Sequence, residues 1–244
     1  MLLGGLQRHS LIDYPGKVCC VCFVSGCNFR CPYCHNPDLA RGRRMPPYPF
    51  DERGLREFLE KRRGFLDGVV VSGGEPTLAN ELCSFCEEVK SLGYAVKLDT
   101  NGSRPGVLKN LVRSGLVDYI AMDIKTEPHR YPWFTQGCCT AEQIHSSIQI
   151  IMESGLEYEF RTTCVRPFVD EPAVEHMARF IQGAGLYALQ QFHHTEVLQP
   201  EYFVNIAPGY DNNEMEAMRS LAAPFVGSCI VRSSPSHQDY LKAA

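Results

Sequence analysis

The sequence predicts an α/β fold: a partial parallel barrel of six strand–helix units, with a doubly wound open sheet as second choice. Three observations predict it. Six short stretches rich in apolar, β-branched and aromatic residues recur along the chain, often bounded by Gly. Segments with helical period separate them. Most of the stretches hold several consecutive apolar residues, the pattern of strands covered on both faces. Strand–helix repetition implies parallel strands joined by right-handed crossovers, and six units fall short of a closed eight-fold barrel.

The strand candidates, in order, are 18–26 (VCCVCFVSG), 68–74 (GVVVSGG), 94–102 (YAVKLDTNG), 118–125 (DYIAMDIK), 157–165 (EYEFRTTCV) and 187–194 (YALQQFHH). Between them, Leu55, Phe58 and Leu59 share one helical face; so do Leu82, Phe85, Cys86 and Val89, and then Val107, Leu108, Leu111 and Val112. Ile144, Ile148, Ile151 and Met152 follow i, i+4, i+7, i+8, with Thr140 and Gln143 as a capping box and Gly155 as the stop. Asp170 reads as an N-cap before the stripe Val174, Met177, Ala178, Ile181. Beyond about residue 200 the pattern weakens, although 212–226 is a helix candidate. The loops 36–50 and 126–139 stand out. No repeat or linker appears, so one domain is expected over 1–244, with a core at about 16–195 and a C-terminal extension, 196–244, closing the barrel side.

The chain has 244 residues and a net charge of −4, which disfavours a nucleic-acid partner. The N-terminal residues lack a signal-peptide pattern, and no apolar run is long enough for a membrane span, so a cytoplasmic protein without a membrane partner is expected. Twelve cysteines are many for that compartment. Metal or redox chemistry explains a tight cluster there better than disulfides do.

Unusual residues gather where the predicted strands end. The first strand runs into GCNFRCPYCHN; the second ends in Ser72-Gly73-Gly74-Glu75-Pro76; the third in Asp99-Thr100-Asn101-Gly102. The fourth ends in Asp123 and Lys125, the fifth carries Arg161 and Thr163, and the sixth ends in His193 and His194. Parallel α/β folds place their sites at these ends. Gly and Asp are common in any such turn, but that accounts for one or two ends and not for all of them.

Cys27, Cys31 and Cys34 follow C-x3-C-x2-C. Four thiolates close a tetrahedral site, whereas three leave one metal with an open position. Zinc with an outside ligand such as His35, or free core thiols, are the alternatives. Zinc ligands usually come as C-x2-C pairs, so a [4Fe–4S] cluster with one iron free of protein ligands is the preferred reading.

This motif, with Tyr33 just before the third Cys, resembles the signature of the radical S-adenosylmethionine superfamily. GGEP at 73–76, LDTNG at 98–102 and MDIK at 122–125 follow in the order found in glycyl-radical-enzyme activating enzymes. The run SLIDYPGK…CNFRCPYCHNPDL is most similar to the longer form of the anaerobic ribonucleoside-triphosphate reductase activating proteins. The resemblance covers about residues 4 to 195. It implies a partial barrel of radical SAM type. It also implies a cluster on Cys27, Cys31 and Cys34 that chelates S-adenosylmethionine, and reductive cleavage of the cofactor to a 5′-deoxyadenosyl radical. That radical abstracts hydrogen from a glycine of the partner, expected to be anaerobic ribonucleotide reductase. The implied electron source is an external one-electron donor such as flavodoxin or ferredoxin. Gly73, Gly74 and Glu75 then suit the methionine ammonium, Lys125 its carboxylate, and Asp123 the ammonium or a cation. Asp99 and Thr100 match positions that bind a monovalent cation in pyruvate formate-lyase activators, and His193 matches a cofactor contact there, although QQFHH departs from the local pattern.

Plainer readings stand beside these. Lys125 could be a solvated strand end, and His193 and His194 structural histidines. Asp13 in IDYPG reads as turn chemistry more than as an entrance residue. Arg41, Arg43 and Arg44 read as a solvated loop more than as a docking patch. The other nine cysteines read as small buried hydrophobes, with Cys20 and Cys22 on one strand face and Cys19 on the other. Two rival functions remain: a radical enzyme acting on a small molecule or another peptide, and a non-catalytic iron–sulfur or zinc protein.

Overall fold

A computed structural model describes residues 3–43, 52–193 and 196–233. Among them, one sheet of eight strands runs in chain order. The strands are β1 (Leu3–Ser10), β2 (Cys19–Val24), β3 (Gly68–Gly73), β4 (Ala95–Thr100), β5 (Tyr119–Asp123), β6 (Glu157–Cys164), β7 (Tyr187–Gln191) and β8 (Cys229–Arg232). β1 pairs antiparallel with β2; every later pairing is parallel. β1 and β8 are not paired to each other, so the barrel stays open. The helices are α1 (Pro37–Ala40), α2 (Glu52–Lys61), α3 (Leu82–Ser91), α4 (Pro105–Arg113), α5 (Tyr131–Thr135), α6 (Ala141–Met152), α7 (Glu171–Phe180) and α8 (Asn212–Ala222).

Alternation along the strands builds two cores. Cys20, Cys22 and Val24 of β2, with Val69 and Val71 of β3, pack outward against the helices, where Cys86 of α3 joins them. Cys19, Val21, Val70, Tyr119 and Ala121 point inward and form a separate cluster with Tyr14 from the β1–β2 loop. The Tyr14 and Tyr119 rings lie 5.9 Å apart. This inner cluster fills the N-terminal end of the barrel with apolar side chains and leaves the C-terminal end for polar ones. The helices follow their sequence signals. Thr140 accepts from the Gln143 amide and Gln143 reciprocates, completing the box at α6. Ile144, Ile148 and Ile151 are then buried, each worth about 1.5–3 kcal/mol relative to exposure. Asp170 caps α7 through the Ala173 amide.

Two strands and two short helices were not expected. β1 (LGGLQRHS) lacks an apolar run, because an edge strand at an open barrel buries only part of its length. β8 has four residues, too few for periodicity, and adds to β7 from the predicted C-terminal extension. The loop 126–139 contains α5, a single turn of helix that packs Tyr131 and Phe134 into the core. The predicted loop 36–50 begins with α1 and continues through Arg41 and Arg43; residues 44–50, Arg44 among them, and His194 lie outside the described residues. Among the described residues no helix is long and apolar enough to cross a membrane.

Candidate active site

The cysteine loop leaves β2 and is tied down along its length. The Gly26 amide donates to Leu39 O at 2.7 Å, and the Arg30 amide to Phe134 O of α5 at 3.0 Å. The Arg30 guanidinium donates to Cys27 O, Phe29 O and Ala40 O at 3.0–3.3 Å. The Tyr33 hydroxyl donates to Lys125 O at 2.9 Å, joining the loop to the end of β5. Cys27, Cys31 and Cys34 thereby line one side of a cavity of about 280 Å³. Burial pushes the Cys27 thiol up to about 11 and the Cys31 thiol up to about 12. Both carry protons at neutral pH, and a metal taking them as thiolates must displace those protons.

The facing wall is main chain. An added Cβ on Gly74 would stand 2.0 Å from Gly26 O, so only glycine lets the β3 turn pass beneath the cysteine loop. The Glu75 amide donates to that same Gly26 oxygen at 2.8 Å.

Alternating charges cross the cavity floor. Lys97 Nζ lies 2.5 Å from Asp99, Arg161 Nη1 3.3 Å from Asp99, Arg161 Nε 2.8 Å from Asp123, and Lys125 Nζ 2.9 Å from Asp123. Burial alone would raise both carboxyls. At Asp123 the Arg161 and Lys125 charges override it, and at Asp99 the Arg161 and Lys97 charges do, so both stay ionised below their usual range. Burial would likewise lower Lys125, but the Asp123 carboxylate beside it holds it charged. Lys125 and Asp123 retain about a fifth of their exposure, so a ligand with both a carboxylate and an ammonium can meet one partner of each sign.

The cavity collects most of the residues singled out in the sequence: the three cysteines, Tyr33, Gly73, Gly74, Asp99, Thr100, Asp123 and Lys125. Two stand apart. Glu75 is fully buried outside the lining, and its carboxylate accepts from the Thr77 amide and hydroxyl, the Thr100 hydroxyl and the Asn101 amide at 2.5–3.1 Å. A buried carboxylate needs such partners; here they lock the β3 turn to the β4 turn, in place of the expected ammonium contact. His193 is exposed and lines a second cavity of about 770 Å³ that shares His35, Arg161, Thr163 and Gln190 with the first. Asp13 accepts from the Ser10 hydroxyl at 2.5 Å within its turn and lines that second cavity. The sequence places Arg161 among the strand-end residues but gives it no role. Its alternation with Glu159 and Thr163 along β6 was the available signal, but its partner Asp123 lies opposite only through the β5–β6 register.

Three thiols around one cavity, beside backbone glycines and a cation, are a donor set suited to an iron–sulfur cubane, which takes one thiolate on each of three irons. Among the described residues, no three His, Cys, Asp or Glu converge on one point to hold a single metal ion. Cys138 is exposed, with its thiol 3.1 Å from Asn28 O, while Cys20, Cys22 and Cys86 are core residues.

Comparison with known proteins gives the family and the fold. The Radical SAM superfamily model matches residues 21–181. A Methanocaldococcus jannaschii protein assigned as a glycyl-radical enzyme activating enzyme is 31% identical over 95% of this chain and 96% of its own. The pyruvate formate-lyase-activating enzyme of Clostridium pasteurianum is 32% identical over 49% of this chain and 50% of its own. The crystal structure of Streptococcus suis SuiB superimposes with a TM-score of 0.66 at 11% identity, covering 91% of this chain and half of that one, a likeness of fold.

Proposed function

We propose that this chain, which belongs to the radical SAM superfamily, is an activating enzyme that installs a glycyl radical on anaerobic ribonucleotide reductase. The observation that carries the reading is one cavity that unites the thiols of Cys27, Cys31 and Cys34 with Gly73, Gly74, Asp123 and Lys125 at the C-terminal strand ends. The three thiolates would hold a [4Fe–4S] cluster, and the remaining groups S-adenosylmethionine. When bound, these two groups supply the one-electron chemistry that removes a hydrogen atom from glycine. The chain's own part is placement. Lys125 pairs with the methionine carboxylate and Asp123 with the ammonium, each prepared by the charge beside it. Gly73 and Gly74, whose missing Cβ atoms let the β3 turn pass against Val24 and Gly26, present main-chain polar groups to the ligand. Tyr33 fixes the Lys125 carbonyl, so the cysteine loop and the cofactor-binding strand end hold one geometry. A one-electron donor such as flavodoxin or ferredoxin completes the reaction.

The test is anaerobic incubation of the reconstituted chain with that reductase, a reductant and S-adenosylmethionine. An electron paramagnetic resonance signal of a glycyl radical is expected on the reductase, and replacing its acceptor glycine with alanine should remove it. Formation of 5′-deoxyadenosine with every glycyl-radical enzyme of the source organism left radical-free would overturn the reading.

A further inference from the structure

We propose that Thr163 and Gln190 read the main chain of the partner segment that carries the acceptor glycine; this rests on the activating-enzyme reading above. Thr163 of β6 and Gln190 of β7 are register partners, and Gln190 is in turn the partner of Arg232 of β8. The row crosses three neighbouring strands. Thr163 and Gln190 are half-buried, and each lines both the cavity beside the thiols and the larger one of about 770 Å³. They stand where the two spaces meet.

Their charged neighbours are committed. Arg161 serves Asp99 and Asp123, and Arg232 forks onto Glu159. The neighbouring amide of Gln191 donates to Tyr210 O at 2.7 Å. The side chains of Thr163 and Gln190 have no hydrogen-bond partner among the described residues. Two polar side chains thus face the junction with no partner among the described residues, free to exchange solvent for an incoming group.

The chemistry of the acceptor explains the pair. Glycine has no side chain, so an enzyme that must place one glycine Cα can recognise it only through adjoining amides and through limited space. A carboxamide carries a donor and an acceptor in one plane and matches a peptide unit; a hydroxyl adds one further donor or acceptor. Neither group is charged, so an incoming segment meets no additional ion to desolvate. The larger cavity runs from this pair to Ile12, which is 89% exposed, and to Val231 of β8, a path for an extended segment.

Peptides of roughly nine residues, centred on the acceptor glycine of each glycyl-radical enzyme of the source organism, provide the probe. Their affinity for the cluster-loaded full chain is read anaerobically by fluorescence anisotropy. A second set carries N-methylglycine at the acceptor position, which removes one amide donor. Gln190→Leu should weaken binding of the unmodified peptide about tenfold, and Thr163→Val about threefold, with Thr163→Ser close to the parent. N-methylation should weaken binding to the parent chain and add nothing in Gln190→Leu, a signature that a general structural defect would not produce. The proposal is overturned if both variants bind within about twofold of the parent, if N-methylation costs the same in the parent and in Gln190→Leu, or if the substitutions weaken S-adenosylmethionine binding and spare the peptide. If the parent chain cleaves S-adenosylmethionine yet binds none of the peptides, the activating-enzyme reading fails and this proposal falls with it.

Discussion

Replacing Arg161 with Met tests whether the charge row is what holds the cavity floor. Arg161 is 13% exposed and lies 2.8 Å from Asp123, 3.3 Å from Asp99 and 4.0 Å from Glu159. Removing one member of a buried ion pair costs about 3–5 kcal/mol, because the partner charge stays behind. Lys97 and Lys125 remain as second cations for the two aspartates, so the lower end, about 3 kcal/mol, is expected. For a chain of this size that lowers Tm by about 6–12 °C. The pH dependence gives the sharper test. With Arg161 present, both carboxyls are held below the unfolded aspartate value of about 3.9. Their contribution to stability is therefore complete above about pH 4 and is lost as pH falls below it. Without Arg161, burial regains ground and raises both groups, so that contribution shrinks or reverses at neutral pH. The gap between parent and variant should be widest near neutrality and narrow progressively as pH falls toward and below about 4. Urea unfolding of the metal-free protein at a series of pH values, followed by circular dichroism, measures it. A gap under about 1 kcal/mol at neutral pH, or one that does not narrow on acidification, would refute the account. Arg161→Lys, which keeps the charge and loses the fork, should recover part of the loss.

Further outcomes follow from the same geometry. Anaerobic reconstitution should load about four irons and four sulfides, lost in Cys27→Ala, Cys31→Ala or Cys34→Ala and retained in Cys83→Ala or Cys138→Ala, as read by iron and sulfide assay. Lys125→Ala should weaken S-adenosylmethionine binding about tenfold to a hundredfold in equilibrium dialysis, the worth of one charge-assisted contact. Gly74→Ala drives its new methyl against Gly26 O and should destabilise the fold by about 1–3 kcal/mol while lowering iron loading. Asp99 is already neutralised by Lys97 and Arg161. Exchanging sodium or potassium for a bulky organic cation at constant ionic strength should therefore change cofactor affinity by less than about twofold.

Local chemistry made much of this protein legible from its sequence. Six of the strands were legible because most hold consecutive apolar residues, as strands covered on both faces require; β2 and β3 show it most plainly. The helix caps at Thr140 and Asp170 depend on neighbours three residues away, so they could be read directly. The three cysteines and the residues at the strand ends were legible because a parallel barrel brings those ends to one mouth whatever its exact curvature. Tertiary structure alone decided the rest. β1 and β8 are strands because a sheet edge was there to receive them, a long-range pairing with no local period. Glu75 had the composition of a ligand contact and became a brace between two turns, because complete burial obliges a carboxylate to find its partners within the protein. Arg161 entered the site only when the β5–β6 register set it beside Asp123. Thr163 and Gln190 became neighbours in the same way, through the register of β6 on β7. Pairing of this kind depends on which distant residues the sheet aligns, and a linear chain does not carry that alignment in the pattern of any one segment.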